Sequence, residues 1–267
     1  MMMQNILTIA GSDTLGGGGI QADLKTFEAL QTFGVSALTC VATVLPNGHL
    51  QIHDLPKDTI LEQIDAILNY VPLTHVKIGL IHQPDTLHAI CSRLRQHPEL
   101  TIITDPVLVF KEAAVSAHQV YLDILKHELL PLSTVVTPNL VEAQQLSDTP
   151  PITTRAKMLA AATTIQTLGP QHVIIKGGQR FPGEQAVDLL KSGATTHYLE
   201  APRLETTTID GAGCTFSAAL TAELANGKSL ESAVARAKKF VYAGLKDGVH
   251  LRHGLGNVWQ GAAQHAL

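Results

Sequence analysis

The sequence has little that would staple, tether or export the chain. Its cysteines, Cys40, Cys91 and Cys214, number three among 267 residues, so they cannot all pair, and they lack metal-ligand spacing. That fits a reducing cytosol. A cationic excess is also missing. The net charge of −4 and pI of about 6.3 speak against nucleic acid or an anionic membrane as partner. No apolar run reaches membrane-spanning length, and residues 1–10 carry neither the cationic start nor the apolar stretch of a secretory leader. Solenoid-type repeats and low-complexity linkers are absent. The expectation is a soluble, cytoplasmic globular protein with one domain over 1–267.

What is present is a core-forming chain, 45% hydrophobic. Short apolar runs alternate with helical periodicity, which predicts α/β architecture: a central, mostly parallel sheet built from βαβ units. Strands are expected at Ile6–Ala10, Val35–Val44, His75–Gly79, Thr101–Pro106 with an acidic-proline stop, Thr134–Thr137 and His172–Lys176. Helices are expected from Ile20 to a stop at Gly34, over 58–70, from Pro84 to His97, near 117–130, and from Ala156 to Leu168. Gly11 to Gly18 reads as a loop. Ala186–Leu190 and Thr195–Leu199 flank Lys191-Ser192-Gly193-Ala194 and read as a small antiparallel hairpin, followed by helices near 214–225 and 230–245.

Several strands end in chemically useful residues: Gly11-Ser12-Asp13, Asp105-Pro106, Thr137-Pro138-Asn139 and Lys176-Gly177-Gly178. Ligands of doubly wound sheets bind beyond such carboxyl ends. The sharpest motif is Asp210-Gly211-Ala212-Gly213-Cys214-Thr215-Phe216-Ser217, directly before a helical stretch. Glycines there uncover backbone amides, and a helix start offers unpaired N–H groups and a favourable dipole to a phosphate or oxyanion. A cysteine in that setting is expected to have a lowered pKa and to serve as a thiolate base. The alternative is an ordinary glycine turn with Cys214 as a small buried residue. Gly16-Gly17-Gly18-Gly19 lacks the Gly-Lys-Ser/Thr of a Walker A loop, and neither glycine turn satisfies G-x-G-x-x-G. A dinucleotide-binding dehydrogenase is therefore disfavoured, and the four glycines suggest a flexible loop or lid, or else a mere turn. Asn139 and Glu142, three apart, can face one way and offer hard oxygen ligands to Mg²⁺, or else a helix cap. Lys176 can contact a polyphosphate. Cys40 and Cys91 lie in apolar runs and are expected in the core.

Taken in order, Ala10-Gly11-Ser12-Asp13, Gln21-Ala22-Asp23-Leu24-Lys25-Thr26, Lys77-Ile78-Gly79, Asp105-Pro106-Val107, Thr137-Pro138-Asn139-Leu140-x-Glu142-Ala143, Ile175-Lys176-Gly177-Gly178 and Gly211 to Ser217 cover nearly the whole chain. Together they resemble the phosphomethylpyrimidine kinase and bacterial pyridoxal/pyridoxine kinase group of the ribokinase superfamily. The resemblance implies a mostly parallel sheet with helices on both faces, ATP·Mg²⁺ as phosphoryl donor and a hydroxymethyl group as acceptor. By position, Gly211, Ala212 and Gly213 would form the anion hole and Cys214 would be the base. Asn139, Glu142, Lys176, Gly177, Gly178, Gln179, Arg180, Asp188, Gly213 and Lys238 would serve the nucleotide, with Glu142 and Asp105 toward the metal. Gly11, Asp13, Gly19, Asp23, Val44 and Phe110 would line the ring substrate. Dimers are common in the group, so a homodimer is expected.

The chain departs from the group in places. Phe110 stands where some pyridoxal kinases use a cysteine to capture the aldehyde, and Lys111-Glu112 follow it. Asn257 replaces the proline of a typical Gly-Pro-Val. Val44 stands where pyrimidine kinases usually carry glutamine, so pyridoxal or pyridoxine is the expected acceptor rather than hydroxymethylpyrimidine. A degenerate, non-catalytic ligand-binding protein on the same fold is the rival, with Phe110 and Lys111-Glu112 blocking the lid.

Overall fold

The computed structural model describes residues 3–108 and 115–265. Phe110, Lys111 and Glu112 lie outside the described residues, and so does the role expected of Phe110. In chain order the elements are β1 (Asn5–Asp13), α1 (Gly19–Ala29), β2 (Phe33–Val44), β3 (Leu50–Asp54), α2 (Lys57–Tyr70), β4 (His75–Ile78), α3 (Pro84–Leu94), β5 (Thr101–Thr104) and α4 (Val115–Ile124). Then follow β6 (Val135–Val136), α5 (Leu140–Ser147), α6 (Arg155–Thr167), β7 (His172–Lys176), β8 (Gln185–Ser192), β9 (Thr195–Pro202), α7 (Ala212–Ala225), α8 (Leu230–Lys246), β10 (Val249–His250) and β11 (Gly256–Asn257). The expected α/β class holds, with mostly parallel strands, helices around them and an antiparallel β8–β9 hairpin. No helix among the described residues is long and apolar enough to cross a membrane.

The chain forms two compact units, one made of Met1–His82 with Glu205–Leu267 and the other of Gln83–Leu204. The first is discontinuous in sequence, and no linker composition marks either crossing.

In the first unit the strand order is β3-β2-β1-β4. β1 runs parallel to β2 and β4, and β3 closes one edge antiparallel to β2. Helix α1 buries Ala22, Asp23, Thr26 and Phe27 on one stripe, because these positions recur at helical spacing. That stripe packs on β1, β2 and α7. Helix α7 is buried continuously from Thr215 to Glu223, as suits a helix with α1, α8 and β4 around it. A fully buried side chain such as Phe27 or Ile6 contributes roughly 1.5–3 kcal/mol. Cys40 is completely buried here, as expected.

In the second unit the order is β5-β6-β7-β8-β9, parallel from β5 to β7 and antiparallel beyond. Helix α6 packs on β7 and β8 and pairs with α5. Cys91 is buried on α3. Burial pushes the Cys40 thiol up to about 11 and that of Cys91 to about 12, which leaves both inert near neutrality.

Several boundaries differ from expectation. Helix α1 ends at Ala29 rather than Gly34, because Gln31 takes a left-handed φ of 58° and Thr32 donates back to the Phe27 carbonyl. Gly34 belongs to β2, where a Cβ would meet Leu24 and Phe27 at 2.7 Å. β1 continues through Gly11 and Ser12 to Asp13, with a register shift between Ala10 and Ser12. The helix expected near 117–130 is regular only to Ile124. It then widens into a π turn over Leu125–Leu129 and tightens into a 3₁₀ turn over Leu130–Leu132, which contains Pro131.

Candidate active site

The turn before α7 supplies the most reactive geometry of the first unit. Gly211 has φ of 83°, and a Cβ there would lie 1.6 Å from the Gly17 carbonyl oxygen. Only glycine satisfies both constraints. The Ala212 amide returns to Ile209 O at 3.2 Å, whereas the amides of Gly211 and Gly213 donate to no group among the described residues. These are orphan donors of a helix start, a natural anion cradle. Cys214 sits in the first turn of α7, half-buried. Its Sγ would lie 3.8 Å from a Cβ on Gly18, the N-cap residue of α1. The thiol thus borders two helix N-termini.

The second glycine turn behaves differently. The Asp13 carboxylate accepts from the amides of Leu15 at 2.9 Å, Gly17 at 3.0 Å and Gly18 at 2.7 Å. Gln21 accepts from the Asp13 amide and donates to Ser12 Oγ, and Lys25 Nζ donates to Gly16 O. The amides that would hold a phosphate are taken by Asp13, so this segment is a braced turn rather than the flexible lid expected. Asp13 is correspondingly its organiser. Gly11 is buried in β1 against Cys40, Gly19 opens α1, and Val44 ends β2 half-buried.

Asp23 requires a correction. Its Oδ2 receives Thr8 Oγ1 at 2.6 Å and Lys77 Nζ at 2.9 Å, with both charged side chains at 0% exposure. A carboxylate without accessible surface cannot touch the ring substrate in this state. It forms a core ion pair whose disruption on one side costs about 3–5 kcal/mol. Lys238 lies half-buried on α8, also in the first unit.

In the second unit, carboxyl ends of β5, β6 and β7 gather charge. Lys176 Nζ donates to Asp105 Oδ1 at 2.6 Å, and Thr137 Oγ1 donates to the same oxygen at 3.2 Å. Asn139 and Glu142 make a capping box at the start of α5. The Asn139 side chain accepts from the Val141 and Glu142 amides, and Glu142 Oε2 accepts from the Asn139 amide at 2.7 Å. The Asn139 oxygen is therefore engaged by the helix start. Glu142 is 8% exposed. Burial raises its carboxyl to about 7, Lys176 opposes that rise and Asp105 adds to it. Asp188 is buried and accepts the Gly177 amide at 2.9 Å, so it fixes the turn after β7. Gln179 donates to Leu204 O, while Gly178 and Arg180 are exposed.

No group of three or more His, Cys, Asp or Glu among the described residues could hold a metal ion. The donor set still fits Mg²⁺, which takes one or two carboxylates and completes its shell with water and substrate phosphate. Two residues named in the sequence were given no role there. Asp210 precedes Gly211, and burial and the nearby Asp13 hold its carboxyl above the usual range. Asn257 donates to Leu15 O across a separation of 242 residues, which no local signal reveals.

Residues 13–259 match the family model described as phosphomethylpyrimidine kinase. A pyridoxine kinase of Bacillus subtilis is 39% identical over 258 residues, covering 96% of this chain and 95% of its own length. A hydroxymethylpyrimidine/phosphomethylpyrimidine kinase of Haemophilus influenzae is 38% identical over 262 residues, covering 96% of this chain and 97% of its own. The solved structure of the Staphylococcus aureus pyridoxal kinase in complex with AMP-PCP and pyridoxal superposes with a TM-score of 0.91 at 37% identity, covering 98% of this chain and 95% of that one.

Proposed function

This chain belongs to the phosphomethylpyrimidine kinase family and is a phosphotransferase with an alcohol group as acceptor, and we propose that it moves the γ-phosphoryl group of ATP to the hydroxymethyl group of pyridoxal or pyridoxine. The observation that carries this reading is the turn before α7, whose Gly211 and Gly213 amides are uncommitted next to the Cys214 thiol. Phosphoryl transfer needs little covalent work from the protein. It needs positioned reactants and donors aimed at growing charge.

In this account the acceptor oxygen attacks the γ-phosphorus as the bond to the ADP oxygen breaks. The hydroxyl proton passes to the Cys214 thiolate. The Gly211 and Gly213 amides hold the equatorial phosphoryl oxygens. Lys176 supplies positive charge to the nucleotide phosphates, and Gly177 to Arg180, Asp188 and Lys238 serve the nucleotide. Glu142 and Asp105 would hold Mg²⁺ directly or through water, and the ion would neutralise phosphate charge when bound. The ATP assignment is supported by the AMP-PCP bound in the staphylococcal relative.

The acceptor assignment rests on Val44. A pyrimidine with an exocyclic amine presents polar edges that valine cannot pair. Leaving such a group unpaired costs about 1–3 kcal/mol, or roughly 5- to 150-fold in relative kcat/KM. Pyridoxal should have no covalent advantage over pyridoxine, because Phe110 cannot form a thiohemiacetal. The second reading, hydroxymethylpyrimidine kinase, is favoured by the Haemophilus relative, which is nearly as similar as the pyridoxine kinase. Comparing kcat/KM for the three acceptors in the natural chain and in Val44→Gln decides between them. The proposal expects a pyridine preference that shifts toward hydroxymethylpyrimidine in the variant. A pyrimidine preference at the outset, or no shift, defeats it.

A further inference from the structure

Asn257 ends β11 and is 6% exposed. Its Nδ2 donates to Leu15 O at 2.8 Å, while its buried Oδ1 has no hydrogen-bond partner among the described residues. The orientation of the amide follows from that bond, since the opposite one would set Oδ1 against the Leu15 carbonyl. The unpaired oxygen is a cost to folding. What the side chain supplies is its hold on the braced glycine turn.

That hold reaches the reacting groups in two short steps. A Cβ on Gly17 would meet Asn257 Oδ1 at 2.5 Å and Cγ at 2.7 Å, and its three nearest atoms all belong to Asn257. Gly17 has no left-handed φ, so the close approach of Asn257 is what favours glycine at this position. Gly17 O occupies the place a Gly211 side chain would need, and Gly18 borders Cys214 Sγ. The backbone of the same segment is bound to the other turn, with Val258 N donating to Asp210 O and Asp210 N to Gly256 O, both at 3.0 Å. One residue thus grips one glycine turn by its side chain and the other through its strand.

We propose that Asn257 is a positioning residue for phosphoryl transfer. It sets the spacing between the Leu15–Gly18 turn and the Gly211–Cys214 turn, and so how closely the acceptor hydroxymethyl approaches Cys214. The inference rests on the kinase reading above and names a residue through which that site is tuned.

The test combines hydrogen exchange with steady-state kinetics on the full chain. In Asn257→Ala, amides of residues 15–18 should exchange about tenfold faster while α7 is unchanged, because the Leu15 bond is gone. Acceptor kcat/KM should fall roughly ten- to a hundredfold, with KM for ATP within about twofold. Thermal stability should change little, since the variant also removes the unpaired oxygen. Asn257→Asp replaces the donor by an acceptor facing the Leu15 carbonyl, and should impair the acceptor step more than alanine does. Gly17→Ala should be impaired, and the Gly17→Ala/Asn257→Ala pair should lose less than the product of the single losses, because the clash is relieved. Unchanged exchange and kinetics in Asn257→Ala overturn the role. So do equal losses for acceptor and ATP accompanied by a lowered Tm. If the natural chain forms no ADP with any acceptor, the kinase reading falls with it, whereas an active natural chain with an indifferent Asn257→Ala overturns the role alone.

Discussion

The Leu15–Gly18 and Gly211–Gly213 turns of the first unit both carry glycines before a helix, yet they use their amides in opposite ways. In the first, Asp13 receives three N–H groups and acts as a built-in anion. In the second, the amides of Gly211 and Gly213 are unclaimed and Cys214 follows at once. Glycine content does not make a phosphate loop. What matters is whether a carboxylate of the chain has already filled the cradle.

The largest test of that contrast is chemical. Cys214→Ala should lower kcat by about two to four orders of magnitude with nucleotide affinity nearly kept, and Cys214→Asp should retain part of the activity. An alanine variant with unaltered kcat makes Cys214 a packing residue and leaves the second turn without a base.

The next test is steric. Gly211→Ala forces a side chain onto the Gly17 carbonyl at a positive φ, and should cost about 3 kcal/mol or prevent folding. Gly178→Ala shares a positive φ of 50° but meets nothing within 4 Å, so about 1 kcal/mol is expected. Equal effects in denaturant titrations would remove the close approach from the account.

A pH experiment extends the comparison to the second unit, where the Glu142 carboxyl is buried and accepts the Asn139 amide. The Glu142 carboxyl lies at about 7 when folded, raised by burial. The folded chain then holds a proton that the unfolded chain has released, so stability from this group is present below about pH 4.5 and lost as pH rises through about 7. Glu142→Gln has no such titration. In magnesium-free buffer its stability relative to the natural chain should rise from about pH 5 to about pH 8, by at most about 3 kcal/mol. A pH-independent difference would contradict the burial of this charge.

The smallest effect is expected at Asp13. Asp13→Asn keeps one oxygen for the braced turn and loses the charge, at about 1–2 kcal/mol. Acceptor KM should rise more than KM for ATP, and the reverse pattern would place the nucleotide phosphates on this turn.

How far the sequence revealed these features depended on distance along the chain. β7 was legible residue for residue, because His172–Lys176 is a compact apolar run that ends before two glycines. β3 was missed because Leu50–Asp54 is an exposed edge strand in which only Ile52 is partly covered. The N-x-x-E spacing of Asn139 and Glu142 was visible, but sequence could not decide between metal ligands and a capping box, since both need the same geometry. The Asp105–Lys176 pair spans 71 residues and the Asn257–Leu15 bond 242, so both exist only once the strands are aligned. Asp23 was expected at the ring substrate from the family resemblance alone. On helix α1 its carboxylate is buried against Lys77 of β4, 54 residues away.

The most direct test of the central claim is ADP release from MgATP, coupled to mass detection of the product, for pyridoxal, pyridoxine, hydroxymethylpyrimidine and a set of sugars. The account predicts one ADP per phosphorylated pyridine alcohol, weaker turnover of hydroxymethylpyrimidine and none with sugars. Failure to form ADP with every one of the hydroxymethyl heterocycles would contradict it and leave a ligand-binding protein on a kinase fold.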